Sequence, residues 1–166
     1  LISQGRRNIG HISGTLDWWE TCQRKSGWES ALAEADLSCS DKMWTEGNWS
    51  SKSGKTAFLA LLEKYPQMDG LFVGNDQMAL AVLSEAVRLG IRVPEDLAVV
   101  GFDGIEESEF FYPPLSTISQ DQLKLGGLAV EELVAVMNQG AQAPSREPNY
   151  IAVKPELVVR KSSLGR

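Results

Sequence analysis

The sequence predicts an α/β fold in which an open parallel sheet carries helices on both faces. Short apolar blocks alternate with longer amphipathic stretches along the chain, the pattern of repeated strand–helix units. Turn residues (Gly, Asn, Asp and Pro) separate the blocks. The chain has 166 residues, 43% of them hydrophobic, which is enough for one globular domain with a buried core.

The first two strand–helix units are expected within residues 9–65. A short strand at Ile9–Ser13 precedes a helix over 17–35, for which Asp17 is the expected N-cap. A weaker strand covers 42–45, and the next helix covers 50–65 until a proline ends it.

The third unit has the strongest pattern. Gly70–Val73 is predicted to be a buried strand, and a helix over 77–89 follows a Gly-Asn-Asp turn. Gly90 suits the position just after the last helical residue, where a left-handed backbone is common. A further apolar strand is predicted at 97–102, followed by a long polar and aromatic loop over 103–114.

The last part of the chain repeats the pattern once more. A strand at 115–119 leads to a helix over 121–138 with one apolar stripe. A loop follows, and the chain closes with extended pieces around 150–153 and 157–160.

Charge and composition exclude several functions. The net charge is −6 and the basic residues are scattered, so the chain itself is a poor candidate for nucleic-acid binding. No apolar run reaches the length of a membrane helix, and two cysteines favour a reducing compartment over a disulfide framework. The chain begins at Leu1 without an export signal, and we expect it to be a piece of a longer protein.

Familiar catalytic and metal motifs fail on their spacing. Gly54-Lys55-Thr56 resembles the end of a phosphate-binding loop, but Trp49 stands where that loop needs a glycine. His11 is the single histidine and lies within a predicted strand, so we expect it to pack in the core. No metal site, cofactor site or catalytic group is predicted.

Five residues that can hydrogen-bond or stack follow the ends of successive predicted strands, where open parallel sheets bind ligands. They are Arg24, Trp49, Asn75, Asp103 and Gln120. A guanidinium, a carboxylate and two amides can engage neighbouring hydroxyls, and an indole offers a flat apolar face to a sugar ring. The set therefore predicts binding of a neutral sugar without catalysis.

Four of these residues also have a purely structural interpretation. Asn75 and Gln120 are well placed to cap the helices that follow them, and Asp103 can form a turn with the next glycine. Arg24 can be a solvated helix charge. The remaining tryptophans are expected in the core or at an interface: Trp18, Trp19, Trp28 and Trp44.

Several runs of sequence resemble the effector-binding domain of LacI/GalR transcriptional regulators. They are GNDQMA at 74–79, VPEDLAVVGFD at 93–103, and PPLSTI at 113–118 followed by Gln120 and Asp121. RKSGW at 24–28 and PELVVR at 155–160 also fit, so the resemblance covers nearly the whole chain. EGNWS at 46–50 is particularly similar to the lactose repressor branch.

The resemblance implies a fold like that of type I periplasmic binding proteins, with two α/β subdomains around a ligand cleft. This chain would then hold mainly the C-terminal subdomain at 1–120, a returning segment of the N-terminal subdomain at 121–154, and a final strand and tail at 155–166. The ligand contacts of the family match the same five residues. Gln122 is a sixth ligand-binding candidate, at a position where the lactose repressor has an aromatic residue.

The resemblance also implies a function and partners. A sugar effector would favour one closure of the subdomains of a cytoplasmic repressor and so alter its affinity for operator DNA. The DNA would be bound by a helix-turn-helix preceding Leu1, in a homodimer. Residues 110–112 are the candidate dimer contact, with packing in the core as the alternative. A periplasmic sugar-binding receptor is the alternative, and a sugar hydrolase would need a second carboxylate across from Asp103.

Overall fold

The computed structural model describes residues 1–139 and 151–164, and within them six strands form a single sheet. The strands are β1 (Ile9–Ser13), β2 (Trp44–Glu46), β3 (Gly70–Val73), β4 (Ala98–Asp103), β5 (Ser116–Ser119) and β6 (Glu156–Val158). Their order is β2-β1-β3-β4-β5-β6, and every neighbouring pair is parallel except β5 with β6. The predicted open parallel sheet is confirmed, with an antiparallel strand at one edge.

Helices cover both faces of this sheet. They are α1 (Trp19–Glu34), α2 (Ser51–Lys64) and α3 (Asp76–Arg88); a further helix, α4 (Gln122–Gln139), follows β5 and is mostly exposed. On β1, His11 stacks against Trp28 of α1, whereas the preceding Gly10 lies against Leu61 of α2. Successive strand residues point to opposite faces, so α1 covers one face and α2 the other.

The core lies mainly between the sheet and the layer formed by α2 and α3. Its fully buried side chains include Ile12, Phe58, Leu61, Leu71, Val73, Met78, Val82 and Leu83. Gly54 allows the two helices to approach closely, because a Cβ there would lie 2.6 Å from the Cα of Met78. This contact gives a structural reason for the glycine in the rejected phosphate-loop motif.

Each end of the four helices differs from its predicted position by one or two residues. The main correction is at the start of α1, where Trp18 and not Asp17 occupies the N-cap position, with no side-chain cap. Residues 15–18 form a turn instead, in which the Trp18 amide donates to the Thr15 carbonyl over 3.2 Å. The Asn75 cap of α3 and the left-handed Gly90 after that helix are confirmed.

Three irregular segments also depart from the prediction. Strand β2 begins two residues later than expected, because Asp41–Met43 forms a short 3-10 helix. The loop over 103–114 contains another at Glu106–Phe110. Residues 151–155 are irregular, and the rest of the extended piece predicted around 150–153 lies outside the described residues.

Among the described residues, apolar side chains are open to solvent in several places. The stripe of α4 is largely exposed, including Leu125, Leu133, Val136 and Met137. A recess of about 580 Å³ lies on the α1 face of the sheet, between Trp28 and the side chains of Phe72, Val100 and Phe102. No helix in the described ranges is both long and apolar enough to span a membrane.

Candidate functional site

The five predicted site residues lie together at the carboxyl edge of the parallel strands. Arg24 is on α1, Trp49 and Asn75 follow β2 and β3, Asp103 ends β4 and Gln120 follows β5. Each contacts at least one of the others, and the contacts run from Gln120 through Asp103, Arg24 and Trp49 to Asn75. The convergence expected from strand topology is therefore present.

Arg24 and Asp103 form the polar centre of the site. Arg24 Nη2 lies 3.6 Å from Asp103 Oδ1, and the Gln120 amide donates to the same oxygen over 3.4 Å. The guanidinium also donates from Nη1 to the Gly74 carbonyl over 2.6 Å. The central carbon of the guanidinium lies 3.8 Å from the ring centroid of Phe102, so the cation packs on an aromatic face. The solvated-charge interpretation of Arg24 is wrong.

Partial burial shifts the pKa values of both Arg24 and Asp103. Burial raises the pKa of Asp103, and the nearby Arg24 opposes that shift. Burial lowers the pKa of Arg24, and Asp103 is the main group that opposes it. The Arg24 side chain is 15% exposed to solvent and the Asp103 side chain 24%, so both can reach a ligand.

The indole of Trp49 lies close to both Gly14 and Arg24. A Cβ at Gly14 would collide with the indole, so the glycine that follows β1 leaves room for the ring. The guanidinium carbon of Arg24 lies 5.4 Å from the indole centroid. The backbone of Trp49 has a φ of +70°, which lies in the left-handed region that residues other than glycine rarely adopt. The position thus combines backbone strain with a half-buried aromatic ring.

Asn75 is committed to structural hydrogen bonds. Its Oδ1 accepts from the Met78 amide over 2.9 Å and caps α3. Its Nδ2 donates to the Trp49 carbonyl over 3.0 Å and to Gln77 Oε1 over 2.9 Å. The side chain is buried, so its direct role here is to hold Trp49 in its strained backbone.

Asp76 is the residue that sequence reasoning missed. It is fully buried, and its Oδ2 accepts from the backbone amides of Gly104 and Ile105 over 2.9 and 3.0 Å. Its Oδ1 accepts from the Thr117 hydroxyl over 2.7 Å. Burial raises the pKa of Asp76, although these hydrogen bonds act to lower it. Asp76 thereby fixes the turn after Asp103, whose φ of +111° is also in the glycine-favoured region.

The sixth predicted residue, Gln122, lies at the rim. It is the exposed first residue of α4 and lines a recess of about 350 Å³ together with Asp103 and Gln120. The capping interpretation of Gln120 is wrong, because Asp121 accepts from the Lys124 amide over 2.9 Å at the start of α4.

His11 has the packing role that the sequence predicts. It is fully buried between the rings of Trp28 and Phe72, at centroid distances of 5.5 and 4.9 Å. Burial lowers the pKa of the imidazole from 6.5 to about 4. Within the described ranges no cluster of His, Cys, Asp and Glu could hold a metal ion.

Comparisons with known proteins agree with this architecture. A family model described as a periplasmic binding protein-like domain matches residues 1–163. The chain is 38% identical over 165 residues to the HTH-type transcriptional repressor PurR of Haemophilus influenzae strain PittEE, covering 98% of this chain and 48% of the relative. It spans about half the length of the curated relatives that it matches.

Solved structures give the same result. The chain is similar to the transcriptional regulator CelR in complex with cellobiose, with a TM-score of 0.92, 31% identity, and coverage of 98% of this chain and 49% of the other. It is also similar to the lac repressor dimer bound to operator and the anti-inducer ONPF, with a TM-score of 0.87, 30% identity, and coverage of 99% and 55%.

Proposed function

This chain belongs to the periplasmic binding protein-like domain family, and we propose that it is the effector-binding core of a LacI/GalR-type transcriptional repressor. Its relatives PurR, CelR and the lac repressor are regulators and not enzymes, in agreement with the expected binding without catalysis. That similarity supports a repressor over the alternative of a periplasmic sugar receptor. The run EGNWS at 46–50 favours the lactose repressor branch. The sequence identity of the chain is nevertheless higher to PurR than to the lac repressor. We therefore assign the chain to the family and not to one branch of it.

The observation that carries the proposal is the linked set of Arg24, Asp103 and Gln120 beside the indole of Trp49. Carboxylate, guanidinium and amide groups can bind the hydroxyls of a pyranose, and the neighbouring aromatic face can pack against its apolar C–H surface. The effector is therefore a neutral sugar. CelR, which shares this architecture, is in complex with cellobiose.

The ligand acts by favouring one arrangement of two subdomains. A ligand shifts such an equilibrium only through a difference in its affinity for the two states. Residues 1–120 and β6 supply one wall of the cleft, and α4 belongs to the other subdomain. Operator DNA is bound by a separate helix-turn-helix in a cytoplasmic homodimer, which is compatible with the acidic charge of this chain.

The test is the response of DNA binding to sugar in the intact gene product. DNA fragments that the protein selects from its own genome are labelled, and fluorescence anisotropy gives their affinity with and without a panel of saccharides. The proposal predicts that one sugar changes the affinity at least about fivefold, the lower range of allosteric coupling. Arg24→Ala is expected to remove the response while leaving DNA affinity without sugar unchanged. A protein that selects no DNA, or whose DNA affinity no sugar alters, contradicts it.

A further inference from the structure

An exposed tryptophan extends the candidate site beyond the five predicted residues. Trp18 lies in the turn after β1, at the same edge of the sheet, and 57% of its surface is exposed. Its ring centroid is 6.1 Å from that of Trp49, and the two ring planes are inclined by 59°. The sequence predicts this residue in the core or at an interface, and the structure shows that it is not in the core.

The turn that carries Trp18 is fixed by hydrogen bonds. The Trp18 amide donates to the Thr15 carbonyl over 3.2 Å, and the Leu16 amide donates to Glu46 Oε1 over 3.1 Å. The Trp18 carbonyl accepts from the Cys22 amide over 3.3 Å at the start of α1. The backbone beneath the exposed ring is thus tied both to α1 and to the end of β2.

The geometry of the two indoles decides what they can bind. Aromatic rings in direct contact have centroids about 4.5–7 Å apart, so Trp18 and Trp49 touch each other and leave no room for a ligand ring between them. A single sugar therefore cannot be sandwiched by the pair. The two inclined faces instead form one bent apolar surface, which suits two linked rings lying side by side.

The polar groups around Trp18 suit a neutral second ring. Asp17 precedes it, Glu20 lies in the first turn of α1, and Glu46 ends β2; all three are exposed carboxylates. Carboxylates accept hydrogen bonds from sugar hydroxyls and repel phosphate or other anionic groups.

We propose that Trp18 is the platform for a second sugar unit, so that the effector contains at least two linked pyranose rings. This inference rests on the proposed sugar-binding function and specifies its ligand class. Trp49 and the Arg24–Asp103 pair hold the first ring, and Trp18 holds the second.

The experiment compares matched mono- and disaccharides by calorimetric titration of the intact gene product. The probes are glucose with cellobiose and maltose, and galactose with lactose. We expect one disaccharide to bind more tightly than its monosaccharide. Trp18→Ala should weaken that disaccharide about tenfold or more and change monosaccharide affinity less than about twofold, since one ring contact is lost.

Trp19→Ala is the matched control. Trp19 is the next residue and is 62% exposed, while it is Trp18 whose ring faces Trp49. The control should keep the preference for the disaccharide, and Trp18→Phe should restore most of it.

The outcomes separate the two claims. If sugars bind but Trp18→Ala weakens both classes equally, or neither, the second platform is wrong and the proposed function stands. If no saccharide of the panel binds the wild-type protein, both the platform and the proposed sugar effector are overturned.

Discussion

At the scale of single residues, the site holds two side chains on backbone that glycine adopts far more easily. Trp49 and Asp103 both have positive φ, and two buried donors in the site, Arg24 Nε and Trp49 Nε1, lack a partner among the described residues. Such strain costs about 1–3 kcal/mol per residue and is found where function requires it. Asn75 donates to the Trp49 carbonyl and Asp76 accepts from the Gly104 amide, and these hydrogen bonds hold the strained segments in place.

Asp103 allows the strain to be measured directly. Asp103→Gly and Asp103→Ala both remove the carboxylate, so both should lose effector binding. Because φ is +111° there, the glycine variant should be more stable than the alanine variant by about 1 kcal/mol, the reverse of the usual order. Chemical denaturation measures the difference. An alanine variant at least as stable as the glycine variant would show that the backbone is relaxed.

His11 predicts a pH dependence of stability. Its pKa is about 4 in the folded chain and 6.5 when exposed, so between these values the unfolded chain binds more protons. The free energy of unfolding should therefore fall as the pH drops from 6.5 to 4, by about 3 kcal/mol from this residue. In His11→Phe, whose ring can stack between Trp28 and Phe72, the fall over that interval should be smaller by this amount. Parallel profiles for the two proteins would contradict the assignment.

At the scale of elements, the start of α3 organises the site. Asn75 caps the helix and holds Trp49, and Asp76 holds the turn after β4. Asp76→Ala removes the acceptor of the Ile105 amide and the nearer of the two acceptors of the Gly104 amide. We expect it to lower stability by about 1–3 kcal/mol and to weaken effector binding as well, because Asp103 loses its support.

Glu85→Ala on the same helix is the control for Asp76. Glu85 is also buried, and its carboxylate lies 2.7 Å from Lys55 Nζ and 3.0 Å from Arg88 Nε. Its loss should lower stability while effector affinity, measured by calorimetry, stays the same. If Asp76→Ala lowers stability alone, its positioning role is disproved.

The sequence predicts these elements well where local pattern decides them. The apolar runs of β1 and β3 give their bounds without error, and Asn75 and Gly90 mark the ends of α3. The start of α1 was missed because a turn and a contact with Glu46 replace the expected cap.

The candidate site is predictable only in outline. Strand topology brings the five residues to one edge, but the use of each side chain depends on tertiary contacts. In the sequence, Asp76 looks like an ordinary acidic residue in the first turn of a helix. Its hydrogen-bond partners lie 28, 29 and 41 residues further along the chain. In the same way, no local signal distinguishes exposed Trp18 from buried Trp28.

At the scale of the whole molecule, two exposed apolar surfaces are expected to have different partners. Phe110 and Tyr112 are 78% and 85% exposed, and Tyr112 shares a recess with Leu80 and Val87 of α3. We expect this surface to join two copies in the intact gene product. The stripe of α4 is expected to pack within one copy, against the other subdomain.

Light scattering after size-exclusion chromatography tests this assignment. Phe110→Ser combined with Tyr112→Ser should shift the intact gene product from dimer toward monomer. Leu133→Ser combined with Val136→Ser should lower its melting temperature and leave its mass unchanged. The opposite pattern, with monomers from the α4 variant alone, would exchange the two roles.

We propose that Arg24, Asp103 and their neighbours form a sugar site, and a thermal-shift screen can decide whether they do. Mono- and disaccharides are screened on the intact gene product and on its Asp103→Ala variant. Bound ligand raises the melting temperature by mass action, so at least one sugar should stabilise the wild type and lose that effect in the variant. A sugar that stabilises both proteins equally, or a panel that stabilises neither, would contradict the claim.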